Sequence, residues 1–230
     1  MKPDLTTLNH TERAALIQFL SQFVSDGRLS KFNGVVQNRT KHLTIVLEDL
    51  YQEHNISAVL RSCDCFGIQD VHIIENKNNF KINQDIALGS SKWLSLHKYK
   101  SGTTAALQNL KAKGYKIIAT TPHENDCILD DLNVDQKTAL VFGTELHGIS
   151  NEVRQLADGF VRIPMFGFTE SFNISVSVAL CLHLLIKKTH ALPNWTINAE
   201  EQENIKLNWL ATSIDSSDLL IKEFLQKKTT

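Results

Sequence analysis

Residues 43–75 read LTIVLEDLYQEHNISAVLRSCDCFGIQDVHIIE, and their pattern is the clearest indication of the fold class. It opens and closes with short apolar runs rich in Ile, Val and Leu, the composition of buried strands. Between the runs, apolar residues recur at helical spacing from Ile56 to Cys63, and Gly67 follows as a helix terminator. The stretch therefore predicts a strand, a helix with Asn55 as its N-cap and a second strand, which together form the repeating unit of a parallel sheet.

The same alternation of strands and helices extends over residues 43–192, which is typical of an α/β domain with a mostly parallel sheet. Strands are predicted at 43–50, 69–75, 95–99, 115–121, 138–143 and 160–164. Helices are predicted at 11–25, 29–38, 56–66, 102–114, 149–159, 173–192, 199–212 and 215–228. The domain is thus flanked by two helical appendages, residues 1–42 and residues 193–230.

The composition argues against several classes of protein. The 230 residues carry a net charge of −1, so total charge does not indicate a nucleic-acid partner. Apolar runs stay below the ~18 residues of a membrane-spanning helix, and the first residues lack the apolar core of a signal peptide. The cysteines fit neither a zinc-ligand pattern nor a C-x-x-C pair; they are Cys63, Cys65, Cys127 and Cys181. We therefore expect a cytoplasmic protein with reduced thiols, no membrane partner and no metal site.

The near-zero net charge conceals a basic segment in the N-terminal appendage. Residues 28–41 carry Arg28, Lys31, Arg39 and Lys41 and no acidic residue. Such a segment is either a solvated helix face or a surface for nucleic-acid phosphates, and its composition alone does not separate the two.

Three stretches interrupt the α/β pattern near the ends of predicted strands, where parallel sheets bind ligands. In HNISAVLRSCD (54–64), Arg61 interrupts an apolar helix. In VFGTELHGIS (141–150), two glycines flank Glu145 at a strand–loop–helix junction, where backbone amides can approach a ligand closely. In IPMFGFTESFNISV (163–176), a run of small and polar residues precedes the last long helix of the domain.

Each stretch also has an ordinary structural explanation. Arg61 fits the exposed face of its helix, the glycines fit a common turn, and Asn173 fits an N-cap. The spacing matches neither G-x-G-x-x-G nor a loop that ends in G-K-[ST], which disfavours a nicotinamide dehydrogenase or a P-loop enzyme. A loop that folds around a polar small molecule explains the whole run at 167–173 better than a cap does.

Taken in order, the three stretches resemble the motifs of the SPOUT class of RNA methyltransferases, and within it the TrmH-type transfer-RNA guanosine 2′-O-methyltransferases. GSSKWLSL at 89–96 resembles a connecting segment of that family. The resemblance implies a homodimeric SPOUT fold, in which the C-terminal part of the parallel sheet forms a deep trefoil knot. It also implies S-adenosylmethionine as cofactor and methylation of the 2′-hydroxyl of guanosine-18 in the D-loop of transfer RNA (tRNA).

The resemblance assigns roles to individual residues. It implies a catalytic group, with Arg61 as the catalytic arginine, formed by Arg61, Asn55, Glu145, Ser171 and Asn173. It implies contacts with the cofactor, largely through the backbone, at Thr120, Gly143, Ile163, Met165 and Phe172. The phosphates of tRNA are expected to meet Arg28, Lys31, Arg39, Lys41 and lysines 222, 227 and 228. His147 is expected at the surface.

Two alternatives remain within the same class of fold. A ribosomal-RNA 2′-O-methyltransferase often carries a larger N-terminal RNA-binding domain, for which the 42 residues before the first strand are too few. A catalytically silent RNA-binding relative is disfavoured because all of the expected catalytic residues are present.

The helix at 173–192 is the expected dimer interface. It carries more apolar residues than one face turned to a core usually needs, namely Val176, Val178, Leu180, Leu184 and Leu185. Such an excess of apolar surface predicts a second helix packed against this one.

Overall fold

The computed structural model describes residues 5, 7–78, 80, 82, 87, 89–122, 127–144 and 146–227. The chain divides into two compact units. One, called the sheet unit below, is Thr40–Trp195, and the other, the terminal unit, combines Met1–Arg39 with Thr196–Thr230. The two appendages expected from the sequence therefore fold together rather than separately.

The described residues contain the whole predicted series of strands and helices, with boundaries shifted by a few residues. The helices are α1 His10–Ser21, α2 Asp26–Val36, α3 Glu53–Cys65, α4 Thr103–Ala112, α5 Asn151–Leu156, α6 Ile174–His190, α7 Ala199–Ser213 and α8 Ser217–Lys227. The strands are β1 Leu43–Glu48, β2 Asp70–Ile74, β3 Ser95–Tyr99, β4 Lys116–Thr120, β5 Cys127–Ile128, β6 Thr138–Phe142 and β7 Gly159–Arg162. Among the described helices, none is both long and apolar enough to cross a bilayer.

The described strands form one sheet in the order β3-β2-β1-β6-β4-β7-β5, with every neighbouring pair parallel. In it, β6 lies between β1 and β4, so that Leu140 pairs with both Ile45 and Ile118. On the far side of β4 lies β7, where Thr120 pairs with Val161. The carboxyl ends of β4, β6 and β7 are therefore side by side, and the loops that leave them meet at one edge of the sheet.

Apolar side chains cover both faces of this sheet. On one face, Ile45 packs in a cluster with Leu60 of α3 and Leu182 of α6. On the other face, Val46 packs with Leu107 of α4 and with residues of α5. Each fully buried aliphatic side chain contributes about 1.5–3 kcal/mol of transfer free energy. The central strands are thus held rigidly from both sides, which fixes the positions of the loops at their carboxyl ends.

The terminal unit is a small helical cluster in which α1 and α2 pack against α7. Phe32 of α2 meets Trp209 of α7 with ring centroids 5.6 Å apart. The guanidinium of Arg39 lies over the same tryptophan ring, 5.3 Å from its centroid, and Arg39 is only 1% exposed. The prediction that Arg39 contacts phosphate is therefore wrong, because its charged group is buried against an aromatic ring instead.

The N-cap prediction for α3 is also wrong. The helix begins at Glu53, with Gln52 as its N-cap residue, which places Asn55 in the first turn rather than before it. Asn55 is 3% exposed, and its amide donates to Oε1 of Gln52 at 2.7 Å. Asparagine is a common N-cap residue. Here Asn55 lies inside the helix instead, where its side chain is hydrogen-bonded to Gln52 and to Asn173.

Candidate active site

A cleft opens in the sheet unit at the carboxyl ends of β4, β6 and β7. Its volume is about 340 Å³, within the roughly 300–1,000 Å³ that small-molecule sites occupy. Its walls come from residues 120–122, the loop 143–148 and the segment 161–172, together with the start of α6. The residues expected to contact a cofactor all line it, namely Thr120, Gly143, Ile163, Met165 and Phe172. The fold therefore brings together five residues that are far apart in the sequence, although their role stays a prediction.

The wall formed by residues 143–148 is a tight loop held by its own backbone. The N–H of Thr144 donates to the carbonyl oxygen of Gly148 at 2.9 Å, and the N–H of Gly148 donates to the carbonyl of Thr144 at 2.9 Å. A Cβ atom on Gly143 would lie 2.1 Å from the same Gly148 oxygen, so only glycine fits there without displacing the backbone. The loop thus presents main-chain atoms to the cleft. Glu145, expected to be catalytic, lies outside the described residues.

Glu48, at the end of β1, fixes the far end of this loop. Its carboxylate is 2% exposed and accepts hydrogen bonds from the N–H and Oγ of Ser150, at 3.0 and 2.6 Å. It also accepts from Oγ1 of Thr103, the first residue of α4, at 2.7 Å. Ser150 is the N-cap of α5, and its Oγ accepts from the N–H of Val153. One buried carboxylate therefore links β1 to the N-termini of two helices. It also fixes the position of Ser150, where the loop ends.

The polar run before α6 ends in a network that joins two helices. Asn173 caps α6, and its Oδ1 accepts from the N–H and Oγ of Ser175 at 2.9 and 2.6 Å. The amide nitrogen of Asn173 donates to Oδ1 of Asn55 on α3 at 3.1 Å. Asn173 is thus both the cap and a partner of Asn55, which makes these two expected site residues direct neighbours.

The expected catalytic residues do not all lie at the cleft. Ser171 is among the residues that line it, whereas Arg61, Asn55 and Asn173 are not. Arg61 is exposed on α3, and within the described part of the chain its guanidinium has no hydrogen-bond or ion-pair partner. An arginine in this state is available to a ligand that approaches from solvent or from another molecule.

Among the other side chains that line the cleft, three carry a basic group that the sequence did not place there. Arg154 of α5 and Arg162 at the end of β7 are half-buried and supply positive charge. The position of Arg162 at the carboxyl end of a strand is a signal that points to the cleft, whereas Arg154 lies within a helix whose local sequence carries no such signal. His147 is exposed, as expected, but it also belongs to the cleft lining.

Cys181 closes the back of the cleft as an apolar wall. It is fully buried, and burial raises the pKa of its thiol to about 12. A thiol with so high a pKa stays protonated near neutral pH, so Cys181 is not a nucleophile. The polar groups of the cleft include hydroxyls, backbone amides, the guanidinium groups of Arg154 and Arg162, the imidazole of His147 and the carboxylate of Glu170.

The basic residues expected to bind RNA fall into separate environments. Arg28 and Lys31 are exposed on α2 of the terminal unit. Lys41 belongs to the sheet unit, where its Nζ lies 3.9 Å from Oδ2 of Asp70. Lys222 is exposed on α8, whereas residue 228 lies outside the described residues and the side chain of residue 227 is not described.

Comparison with known proteins finds similarity over most of the chain. Residues 42–183 match the model of the SpoU rRNA Methylase family. A protein of Borreliella burgdorferi named tRNA (guanosine(18)-2′-O)-methyltransferase is 42% identical over 194 residues, which cover 84% of this chain and 88% of that protein.

Solved structures show the same similarity in three dimensions. The Aquifex aeolicus TrmH/SpoU tRNA modifying enzyme superposes with a TM-score of 0.74 at 28% identity, covering 82% of this chain and 97% of its own. The SpoU methyltransferase AviRb of Streptomyces viridochromogenes, solved in complex with the cofactor AdoMet, has the same fold at 22% identity. Its TM-score is 0.60, with 68% of this chain and 64% of that chain covered.

Proposed function

This chain belongs to the SpoU rRNA Methylase family, and from that premise we propose that it is a tRNA (guanosine-2′-O)-methyltransferase that uses S-adenosylmethionine and acts on guanosine-18. The observation that carries the proposal is that one cleft is built from two of the three segments whose sequences resemble the family motifs, 141–150 and 163–176. The third segment, on α3, is joined to the second by the hydrogen bond between Asn55 and Asn173. The name of the Borreliella burgdorferi protein supports the choice of substrate.

The cleft fits S-adenosylmethionine in size and in chemistry. The crowded backbone around Gly143 provides a main-chain cradle of the kind that holds the polar edge of a nucleoside. Thr120, Ile163, Met165 and Phe172 would hold the rest of the molecule, and the two arginines Arg154 and Arg162 match its carboxylate. When bound, the cofactor supplies a methyl group on a positively charged sulfur, which is a good leaving group.

The protein's part in the reaction is to place and polarise the ribose hydroxyl. A hydroxyl is a weak nucleophile, so in-line placement and stabilisation of the developing alkoxide lower the barrier. Arg61 is a poor base because a guanidinium group carries hydrogen-bond donors and no acceptor atom. We assign it to orient the substrate phosphate and stabilise the alkoxide. Ser171 would contact the ribose, Glu145 would complete the polar group, and the Asn55–Asn173 pair would hold α3 against α6.

We also propose that the protein is a homodimer that associates through α6, the helix expected from the sequence. The interface would use fewer residues of this helix than expected. Val178 and Leu185 are fully buried in the core of their own chain and are not available to a partner. Val176 and Leu180, one helical turn apart, are 44% and 39% exposed and form an apolar stripe on α6. In such a dimer, Arg61, which does not line the cleft of its own chain, would reach the cleft of the partner subunit.

The remaining features follow from the family. The deep trefoil knot would lie in the segment after β6, consistent with the position of β6 between β1 and β4. The phosphates of tRNA would meet the exposed Arg28 and Lys31. The reaction would take place in the cytoplasm, where tRNA is processed.

The proposal is tested by methyl transfer to a defined tRNA transcript. Purified protein with S-adenosylmethionine should convert guanosine to 2′-O-methylguanosine, detected by mass spectrometry of nucleosides, and a transcript with adenosine at position 18 should accept no methyl group. Arg61→Ala should abolish transfer while cofactor binding, measured by calorimetry, stays within about twofold. Methylation of ribosomal RNA instead of tRNA would establish the alternative substrate, and failure to bind the cofactor would disprove the methyltransferase assignment.

A further inference from the structure

A second group of chemically active side chains lies on β2 and β3, on the opposite part of the sheet from the cleft-forming strands β4, β6 and β7. Asp70 and His72 are two residues apart on β2 and so point to the same face. His97 of β3 pairs directly with His72 in the parallel register. One nitrogen of each histidine and one oxygen of Asp70 all lie within 4.8 Å of one another. We call these three residues the β2–β3 cluster.

The three atoms are buried and lack hydrogen-bond partners among the described residues. They are Nε2 of His72, Nε2 of His97 and Oδ1 of Asp70. His72 and Asp70 are 2% and 8% exposed. His97 Nε2 lies 3.2 Å from Oδ1 of Asp70, but without the alignment of a hydrogen bond. Buried polar atoms normally find partners, so three such atoms on neighbouring side chains, two of them 3.2 Å apart, are suited to share one ligand.

The surrounding contacts prepare His72 to act as a ligand. Its other ring nitrogen, Nδ1, lies 3.0 Å from the hydroxyl of Tyr99, two residues beyond His97 on β3. A hydrogen bond at one ring nitrogen fixes the orientation of the other, which is the arrangement found behind metal-bound histidines.

We propose that the β2–β3 cluster binds a divalent transition-metal ion, with Zn²⁺ as the best match, through Nε2 of His72, Nε2 of His97 and Oδ1 of Asp70. Two imidazoles and one carboxylate are a common zinc ligand set, and water would take the fourth position. The other carboxylate oxygen of Asp70 lies 3.9 Å from Nζ of Lys41, which leaves Oδ1 to the metal.

Binding requires a modest closure of the cluster. Zinc–nitrogen distances of about 2.0–2.1 Å place tetrahedral ligand atoms about 3.3 Å apart. One possible ligand atom from each of the three residues lies within 4.8 Å of the others, so the ligand atoms must move closer by up to about 1.5 Å. His97 is 38% exposed in its side chain and has room to move, whereas the stacked ring of His72 is held by its neighbours.

The ion would stabilise the sheet rather than take part in methyl transfer. It would cross-link β3, at the end of the sheet, to β2, and the cleft is formed by other strands. Because the three ligands converge only in the folded chain, binding should raise the melting temperature as the metal concentration rises. This site is not visible in the sequence, because the ligands lie on two strands and do not form a local motif.

The test is metal binding to metal-free protein by calorimetry, with Zn²⁺ as the probe. We expect about one ion per chain, a rise in melting temperature, and visible absorption typical of tetrahedral coordination when Co²⁺ replaces Zn²⁺. His97→Gln should reduce the affinity at least tenfold with an unchanged circular dichroism spectrum, and Asp70→Asn should do the same. His183→Gln, which removes an exposed histidine on α6, is the matched control and should bind like the wild type.

Two results would overturn the proposal. One is the absence of Zn²⁺ binding to the wild-type protein at concentrations up to about 100 μM. The other is equal binding by wild type, His97→Gln and Asp70→Asn, which would assign the metal to surface histidines. Methyl transfer and cofactor binding should be unchanged by metal removal, so this outcome is separate from that of the proposed function.

Discussion

Gly143 has no side chain because the carbonyl group of Gly148 occupies the space where a Cβ atom would lie. Gly143→Ala should displace the loop and lower the affinity for S-adenosylmethionine at least tenfold, about 1.4 kcal/mol. Calorimetric titration of the cofactor measures this. Gly34→Ala is the control, since a Cβ atom there meets nothing within 4 Å and should stabilise α2 by up to about 1 kcal/mol. Unchanged affinity in Gly143→Ala would show that this loop does not hold the cofactor.

Glu48 anchors the end of the same loop through its hydrogen bonds with Ser150. It accepts three hydrogen bonds from Ser150 and Thr103, and an amide in its place supplies one acceptor oxygen instead of two. Glu48→Gln should therefore lower the free energy of unfolding by about 1–3 kcal/mol. It should also weaken cofactor binding, because α5 would no longer be anchored at its N-cap. Denaturant unfolding and calorimetry measure the two effects.

Glu152→Gln provides the comparison for Glu48→Gln. Glu152 is an exposed residue in the first turn of α5, where its loss should cost less than about 1 kcal/mol. Equal destabilisation by the two substitutions would mean that Glu48 has no special anchoring role.

The helices and strands could be predicted from the sequence because their signals are local. β3 was predicted at the residues where it occurs, and α3 and α6 carry clear apolar periodicity and end signals. β5 and the 3₁₀ helices Ser90–Lys92 and Leu129–Asp131 could not be predicted, since elements of two or three residues are too short for a periodic pattern. The capping role of Asn55 was wrong because its amide finds Gln52 and Asn173 instead.

The candidate site was predictable in its segments but not in its side-chain environments. The cleft-lining loops were identified from small and polar residues at strand ends. Burial, in contrast, depends on tertiary packing that the local sequence does not encode. Arg39 was grouped with Arg28 by charge alone, yet one is buried over Trp209 and the other is exposed. The same reason explains why Val178 was expected at an interface and is found in the core.

The exposed face of α2 should contribute to tRNA binding through its phosphate contacts. Replacement of both Arg28 and Lys31 by Ala should weaken binding and lower the slope of log K against log salt by up to about two units. Filter binding across a salt series measures the slope. Arg39→Ala should instead destabilise the protein and leave the slope unchanged, because its guanidinium is buried. A wild-type slope in the double variant would identify this face as merely solvated.

The apolar stripe of Val176 and Leu180 should determine the oligomeric state. Two glutamates in these positions would place charges in a desolvated interface, so the double variant should be a monomer by light scattering at micromolar concentration. Leu219→Glu is the control, since Leu219 is 66% exposed on α8 and lies outside the proposed interface. A dimeric double variant would show that the chain associates through another surface.

If each active site is shared between the two protomers, mixing two different low-activity variants should restore part of the activity. Arg61 is exposed on α3 and does not line the cleft of its own chain, so each site would combine one protomer's cleft with the other protomer's arginine. Arg61→Ala homodimers should then be inactive, and Gly143→Ala homodimers should have little activity when S-adenosylmethionine is limiting. Mixing and re-equilibrating the two variants should produce mixed dimers with one intact site, in which the cleft of the Arg61→Ala chain meets the arginine of the Gly143→Ala chain. Single-turnover methylation of tRNA should therefore recover to about a quarter of the wild-type rate, since half of the dimers are mixed and each has one of two sites. If mixing restored no activity while subunit exchange was confirmed by mass spectrometry, Arg61 would act on the cleft of its own chain.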